Sequence, residues 1–202
     1  MFRRSLPICA ALFALLLAAP AVALAAPDPA ASQIESFDRA LVTAMKGGAS
    51  IGIRGRARLI TPAIDEVFAV PLMTQFAVGP TWPTMTSVQH ANLTEAFRKL
   101  AVANFAHNFS GGSARFDVDP NVVTRGPDKL VQCKIVPEHG DAAHVVYRMR
   151  QVDGRWQVID VFYNGSISEL TTKRSDFAAT LKTGGPDALV AHMNAQADKL
   201  MR

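Results

Sequence analysis

Hydrophobic and polar positions recur with two different periods along this chain, and the change from one to the other divides it. Ser32-Gln33-Ile34-Glu35 has the form of a capping box, in which a hydroxyl and a carboxylate satisfy free backbone donors. Behind it Ile34, Phe37, Leu41 and Met45 share one helical face until Gly47-Gly48. A second helical stretch runs from Arg56 through Ile60, Ile64, Val67 and Phe68, with a restart or kink at Pro62. A short helix from Pro71 to Val78 stops at Gly79-Pro80. Thr86-Ser87-Val88-Gln89 then opens the longest helix, which carries Leu93, Phe97, Leu100 and Phe105 inward and ends at Gly111-Gly112.

From there the period becomes two, the signature of a sheet. Four strands are expected, over 114–124, 130–136, 143–152 and 155–163, with Asp153-Gly154 as a tight hairpin between the last two. The third alternates Val145, Tyr147 and Met149 with His144, Val146, Arg148 and Arg150, as a sheet with one buried face requires. The fourth, Trp156 to Tyr163, is apolar at positions of both parities, which predicts a central strand covered on both sides. Helices return after Ser166-Ile167-Ser168-Glu169, a further capping box, with Phe177 and Leu181 on the apolar face. Gly184-Gly185-Pro186 introduces a final helix through Leu189, Val190, Met193 and Leu200. With no linker or repeat, the pattern predicts a single α+β domain, a four-stranded antiparallel curved sheet packed against N- and C-terminal helices.

Composition narrows the class. At 49% hydrophobic and 19% charged over 202 residues, the chain is globular rather than disordered. Its first 25 residues carry Arg3 and Arg4, an apolar run from Leu6 to Ala19 and small residues at Ala23 and Ala25. That run is shorter than the roughly 20 residues a membrane-spanning helix needs, so 1–25 reads as a cleaved Sec signal peptide and 26–202 as the mature domain. Losing Arg3 and Arg4 takes the formal charge from +4 to +2, too weak a balance to argue for nucleic acid. Cleavage also removes Cys9, leaving Cys133 without a disulfide partner and placed, by its alternation with Val131 and Ile135, as a small buried hydrophobe. The five histidines show no metal-ligand spacing.

Candidate chemistry is sparse. There is no Gly-x-Ser-x-Gly elbow and no glycine-rich phosphate loop, so neither a nucleophile nor a cofactor is implied. Asp160 lies inside the most apolar strand, where an unpaired carboxylate is costly. It is either structural, paired with Arg148, Arg150 or a backbone donor, or a general base partnered by His144 or Tyr147. Arg54, Arg56 and Arg58 form a small basic cluster, either a solvated helix start or a docking point for an acidic partner. What remains is apolar volume. Phe76, Trp82, Phe97, Leu100 and Phe105 on helices, with Tyr147, Met149, Trp156 and Val158 on strands, form either a solid core or the lining of a cavity.

The residues themselves carry a family signature. Trp156-Gln157-Val158-Ile159-Asp160-Val161, Asn164-Gly165-Ser166-Ile167-Ser168 and Thr171-Thr172-Lys173-Arg174-Ser175-Asp176-Phe177 resemble the MlaC family of periplasmic phospholipid-binding proteins, also called the toluene-tolerance family. Upstream, Gly79-Pro80-Thr81-Trp82, Phe97-Arg98-Lys99-Leu100 and Phe105 resemble its long-helix region, and the likeness extends over Ser32 to Leu200. Met149-Arg150-Gln151-Val152-Asp153-Gly154-Arg155-Trp156 and Ile167-Ser168 resemble in particular its hopanoid-associated branch, HpnM. Where many phospholipid carriers of the family have a Glu-Gly-Val-Ser turn, this chain has Asn164-Gly165-Ser166-Ile167-Ser168, which leaves head-group preference open.

The resemblance implies a periplasmic carrier, not an enzyme, that shuttles a phospholipid or hopanoid between inner and outer membranes. Its implied partners are an inner-membrane ABC-type lipid transporter complex and an outer-membrane acceptor, met through transient membrane contact, with the protein itself a monomer. Carried over residue by residue, the lipid-binding lining consists of Trp82, Phe97, Leu100 and Phe105 from the helices and Tyr147, Met149, Trp156 and Val158 from the sheet. The rival readings are a lipid-free envelope adaptor with a solid core and a small enzyme acting on an apolar substrate through Asp160.

Overall fold

A computed structural model describes residues 26–202; the signal-peptide assignment for 1–25 lies outside the described residues. The chain runs through helices α1 (Pro29–Val67), α2 (Val70–Val78) and α3 (Ser87–Asn108), with a 3₁₀ turn over Gly79–Thr84. Strands β1 (Ala114–Val118), β2 (Val123–Arg125), β3 (Asp128–Pro137), β4 (Ala143–Val152), β5 (Arg155–Tyr163) and β6 (Ile167–Ser168) precede the final helix α4 (Glu169–Leu200). The result is the expected α+β domain with helices from both ends of the chain on one antiparallel sheet. The sheet has six strands rather than four, in the order β1-β3-β4-β5-β6 with β2 also pairing with β3. Asp119-Pro120 divides the expected first strand into β1 and β2, since proline has no N–H to give the ladder.

The helix signals were sound in kind and imprecise in place. Asp28, not Ser32, caps α1, its carboxylate accepting from the Ala30 N–H at 2.8 Å, with Pro29 in the first turn. The glycine break is real: Gly48 (φ 51°, ψ −136°) and Gly52 leave helical geometry, in a region L side chains avoid. Pro62, in contrast, sits inside the helix without ending it. Thr86 and Gln89 form the reciprocal capping box of α3, although α3, at 22 residues, is shorter than both α1 and α4. For α4 the cap is Ser168, whose hydroxyl accepts from the Thr171 N–H at 3.0 Å, so the box expected from Ser166 does not form.

Arg56 also corrects the reading of the basic cluster. Arg54 and Arg58 are exposed, but Arg56 is buried, its guanidinium donating to the carbonyls of Ala106 (2.9 Å) and Gly48 (3.0 Å). It thereby places a cation at two helix ends whose carbonyls lack partners of their own.

Strand β5 is not central. Beyond it only two residues pair, Phe162 with Ser168 and Tyr163 with Ile167. Its remaining edge is covered by the α1–α2 junction: Phe68 makes an isolated parallel bridge to Val158, the Ala69 N–H donates to the Val158 carbonyl at 3.0 Å, and the Gln157 amide donates to the Glu66 carbonyl at 2.9 Å. The exposed edge that would invite another strand is thus closed. The run is nevertheless covered on both sides, as expected: Gln157, Ile159 and Asp160 are buried as well as Val158 and Val161, and a bulge interrupts it. The β4–β5 register jumps so that Asp160 opposes Arg148 while Val158 opposes Met149, leaving Ile159 as the extra residue. Val158 and Val161, three apart, therefore both face the helices, and the sheet bends at that point.

The core is one cluster. Ile34, Phe37 and Leu41 are fully buried on α1, each contributing about 1.5–3 kcal/mol by leaving water. Phe37, Phe68 and Phe105 meet edge to face, with ring centroids 4.9–5.6 Å apart.

Candidate functional site: an apolar cavity with a polar rim

One end of this interior is hollow. A cavity of about 300 Å³ lies between sheet and helices, at the lower limit of the roughly 300–1,000 Å³ usual for ligand sites. Its sheet wall is Ile135 of β3, Ala143, Val145 and Tyr147 of β4, and Val161 and Tyr163 of β5. These are the inward positions on the Ala143/Tyr163 side of the bulge. Its helical wall includes Ile64 and Phe68 at the α1 end and Val70 and Met73 of α2. Helix α3 adds Phe97, Leu100, Ala101, Asn104, Phe105 and Asn108, a single stripe at spacings of three and four.

Of the eight residues expected to line such a space, the structure brings four together on its wall: Phe97, Leu100, Phe105 and Tyr147. Met149 and Val158 are wholly buried, but on the other side of the bulge, in solid core. Trp156 lies near the far end of the sheet, where the Lys129 ammonium sits 4.6 Å from its ring. Trp82 lies on the 3₁₀ turn, stacked on His90 at 3.9 Å while its carbonyl bonds the His90 ring, and serves the start of α3. Both tryptophans are placed by their polar neighbours and not by the cavity. Phe76, the further aromatic on the helices, is half-buried, and its carbonyl accepts from the Arg174 guanidinium.

Apart from Tyr147, the polar lining groups are all accessible. Asn108 and Tyr163 are exposed, and Asn104, Glu169 and Lys173 half-buried, whereas Ile64, Met73, Leu100 and Val145 are buried. Lys173 and Glu169, four residues apart on α4, pair at 3.4 Å with side chains 20% and 34% exposed. Such partly solvated pairs contribute about 0–1 kcal/mol, so this one opens readily. Desolvation of its ring end, with the Glu169 carboxylate adding to it, raises the Tyr163 phenol above its ordinary pKa, although 42% of the residue is exposed. Sequence reasoning missed this rim. The available signal was the continuation of the Phe97–Leu100 stripe into Asn104 and Asn108 at helical spacing.

Beside the cavity, between α1 and β3, sits a buried acid. Desolvation pushes the Asp38 carboxyl up to about 7; its Oδ2 accepts from the Cys133 thiol at 3.7 Å, and its Oδ1 has no partner among the described residues. Burial and the same carboxylate raise the Cys133 thiol far above its normal range, so it is an inert core residue as expected. Tyr147 is likewise raised, first by burial and then by Asp38.

Asp160 resolves to the structural alternative. Its Oδ1 accepts from the backbone N–H groups of Val161 (2.8 Å) and Leu170 (3.2 Å), and its Oδ2 from the Ser168 hydroxyl (2.7 Å). The two arginines considered for it instead clasp Asp128, Arg148 through Nε at 2.6 Å and Arg150 through Nε at 2.6 Å and Nη2 at 3.0 Å. Asp160 pins α4 to β5 and does not reach the cavity wall. Among the described residues, no group of three or more His, Cys, Asp or Glu could hold a metal, and no helix is long and apolar enough to cross a membrane.

A curved antiparallel sheet, closed on one side by helices from both ends of the chain and hollow at one end of that contact, defines an α+β ligand-pocket domain. The chain belongs to the MlaC family, whose model, described as MlaC protein, matches residues 35–195. Among solved structures it is similar to a phospholipid-binding protein from Ralstonia solanacearum, determined in complex with a phospholipid. The two share 18% identity over 87% of this chain and 100% of that one, with a TM-score of 0.71, a likeness of fold. A search of curated proteins finds no match.

Proposed function

We propose that this protein is a periplasmic lipid carrier that shuttles a phospholipid or hopanoid between inner and outer membranes and so maintains outer-membrane lipid composition. The observation that carries the reading is the apolar cavity with accessible polar lining groups. Hydrocarbon entering it leaves water at about 0.8 kcal/mol per CH₂ without specific polar contacts, which suits reversible loading and release. Membership of the MlaC family and the fold shared with a phospholipid-bound protein support it. In this reading residues 1–25 are a cleaved signal peptide, and Phe97, Leu100, Phe105 and Tyr147 touch the lipid. The partners are an inner-membrane transporter complex and an outer-membrane acceptor. Assignment to the hopanoid-associated branch rests on the sequence motifs alone.

The test is to export the protein, purify it without detergent and identify co-purifying lipid by native and denaturing mass spectrometry. Stoichiometric phospholipid supports the general carrier, and a hopanoid supports the HpnM branch. A protein that is empty, and remains so after incubation with membrane lipids, overturns the carrier reading and favours the lipid-free adaptor.

A further inference from the structure

The rim holds both signs of charge at one place. We propose that Glu169 and Lys173, with Asn104, Asn108 and Tyr163, form a head-group subsite for a zwitterionic phospholipid bearing a primary ammonium, its phosphate at Lys173 and its ammonium at Glu169. The inference rests on the reading that the cavity takes a lipid chain, and it names which lipid.

Three observations carry it. First, the wall is chemically sorted: apart from Tyr147, every polar lining residue belongs to this group, and each is at least partly exposed. A chain threaded into the apolar end therefore leaves its head among these groups. Second, Lys173 is the sole cation and Glu169 the sole anion of the lining. A purely anionic head meets a lysine already neutralised at 3.4 Å by a carboxylate that also repels it. A head with phosphate and ammonium together replaces that pair by two new ones and leaves neither residue uncompensated. Third, the remaining groups suit the same occupant. The two carboxamides both donate and accept, and the Tyr163 phenol can donate to phosphate oxygen. The arginines nearest in kind, Arg148 and Arg150, are committed to Asp128 and do not line the cavity.

The experiment incubates the detergent-free, full-length expressed protein with vesicles containing equal amounts of phosphatidylethanolamine and phosphatidylglycerol of the same acyl chains. The bound lipids are then counted by mass spectrometry. Wild type should enrich the ethanolamine lipid by about threefold. Glu169→Gln, with Lys173 intact, should bring the ratio to one or below by favouring the anionic head. Lys173→Gln should lower uptake of both lipids, the anionic one more. Thermal melts confirm that each variant is folded. A wild-type ratio equal to that of the vesicles, or a Glu169→Gln ratio equal to wild type, overturns the subsite while leaving the carrier reading in place. Uptake of neither lipid overturns both.

Discussion

The two ends of the apolar interior are built from the same kinds of residue and do opposite things. Toward Met149 and Val158 the bulged sheet meets the α1–α2 junction, and the space is filled. Toward Val145 and Tyr163 the same sheet meets α3 and α4 across a void. Burial does not separate them: Met149 is 0% exposed and Val145 3%. What differs is whether a side chain arrives from the opposite layer. Ala101 and Ala143 line the hollow end, and their small side chains leave space unfilled. Being out of water and being packed are separate properties, and this molecule uses the first without the second where it needs room.

Substitutions at the two ends should therefore part company. The largest effect is expected at the packed end, where Met149→Ala removes a side chain wholly out of water and off the cavity wall. It should cost about 2–5 kcal/mol in denaturant unfolding while leaving lipid per folded molecule unchanged. A loss of lipid without a loss of stability would erase the distinction.

Next comes Asp38, beside the cavity between α1 and β3. Its carboxyl is raised from 3.8 to about 7 in the folded protein, so between these values the native state binds a proton that the unfolded chain releases. Stability should fall as pH rises from about 4 to 7, by roughly 2–4 kcal/mol in all, and stay low above that range. Asp38→Asn should flatten the dependence of Tm on pH between about 4 and 7, and an unchanged slope would place the responsible group elsewhere. Smallest in stability is Ala101→Trp, which fills the hollow. It should move unfolding by no more than about 1 kcal/mol yet abolish lipid co-purification; retained lipid would mean that the ligand lies outside the cavity.

Much of this architecture was legible in the chain. The Thr86–Gln89 box, the Asp153-Gly154 turn with φ of 50° and 77°, and the glycine break in α1 are local chemistry, and each formed as its residues require. Strand β5 is covered on both sides as expected, with Gln157, Ile159 and Asp160 buried as well as Val158 and Val161; its central place was misread, and so was its facing, because a bulge is a tertiary event. The same event moved Met149 and Val158 from the expected lining into the packed end. Trp82 and Trp156 were misplaced for another reason. Size and apolarity suggested an interior, whereas a stacked histidine and an overlying lysine hold them near the surface. Arg56 looked like its exposed neighbours, because only the folded chain brings two helix ends to it.

The seam that closes β5 also sets an order in time. Glu66 and Gln157 are 91 positions apart, so the α1–α2 junction meets its partner only after nearly the whole sheet exists. Closing so long a loop is entropically slow, and helices made first must wait with their apolar faces uncovered. The cavity is thus expected among the last features to form, and for that interval the young chain would display to any chaperone or membrane the apolar surface that later lines it.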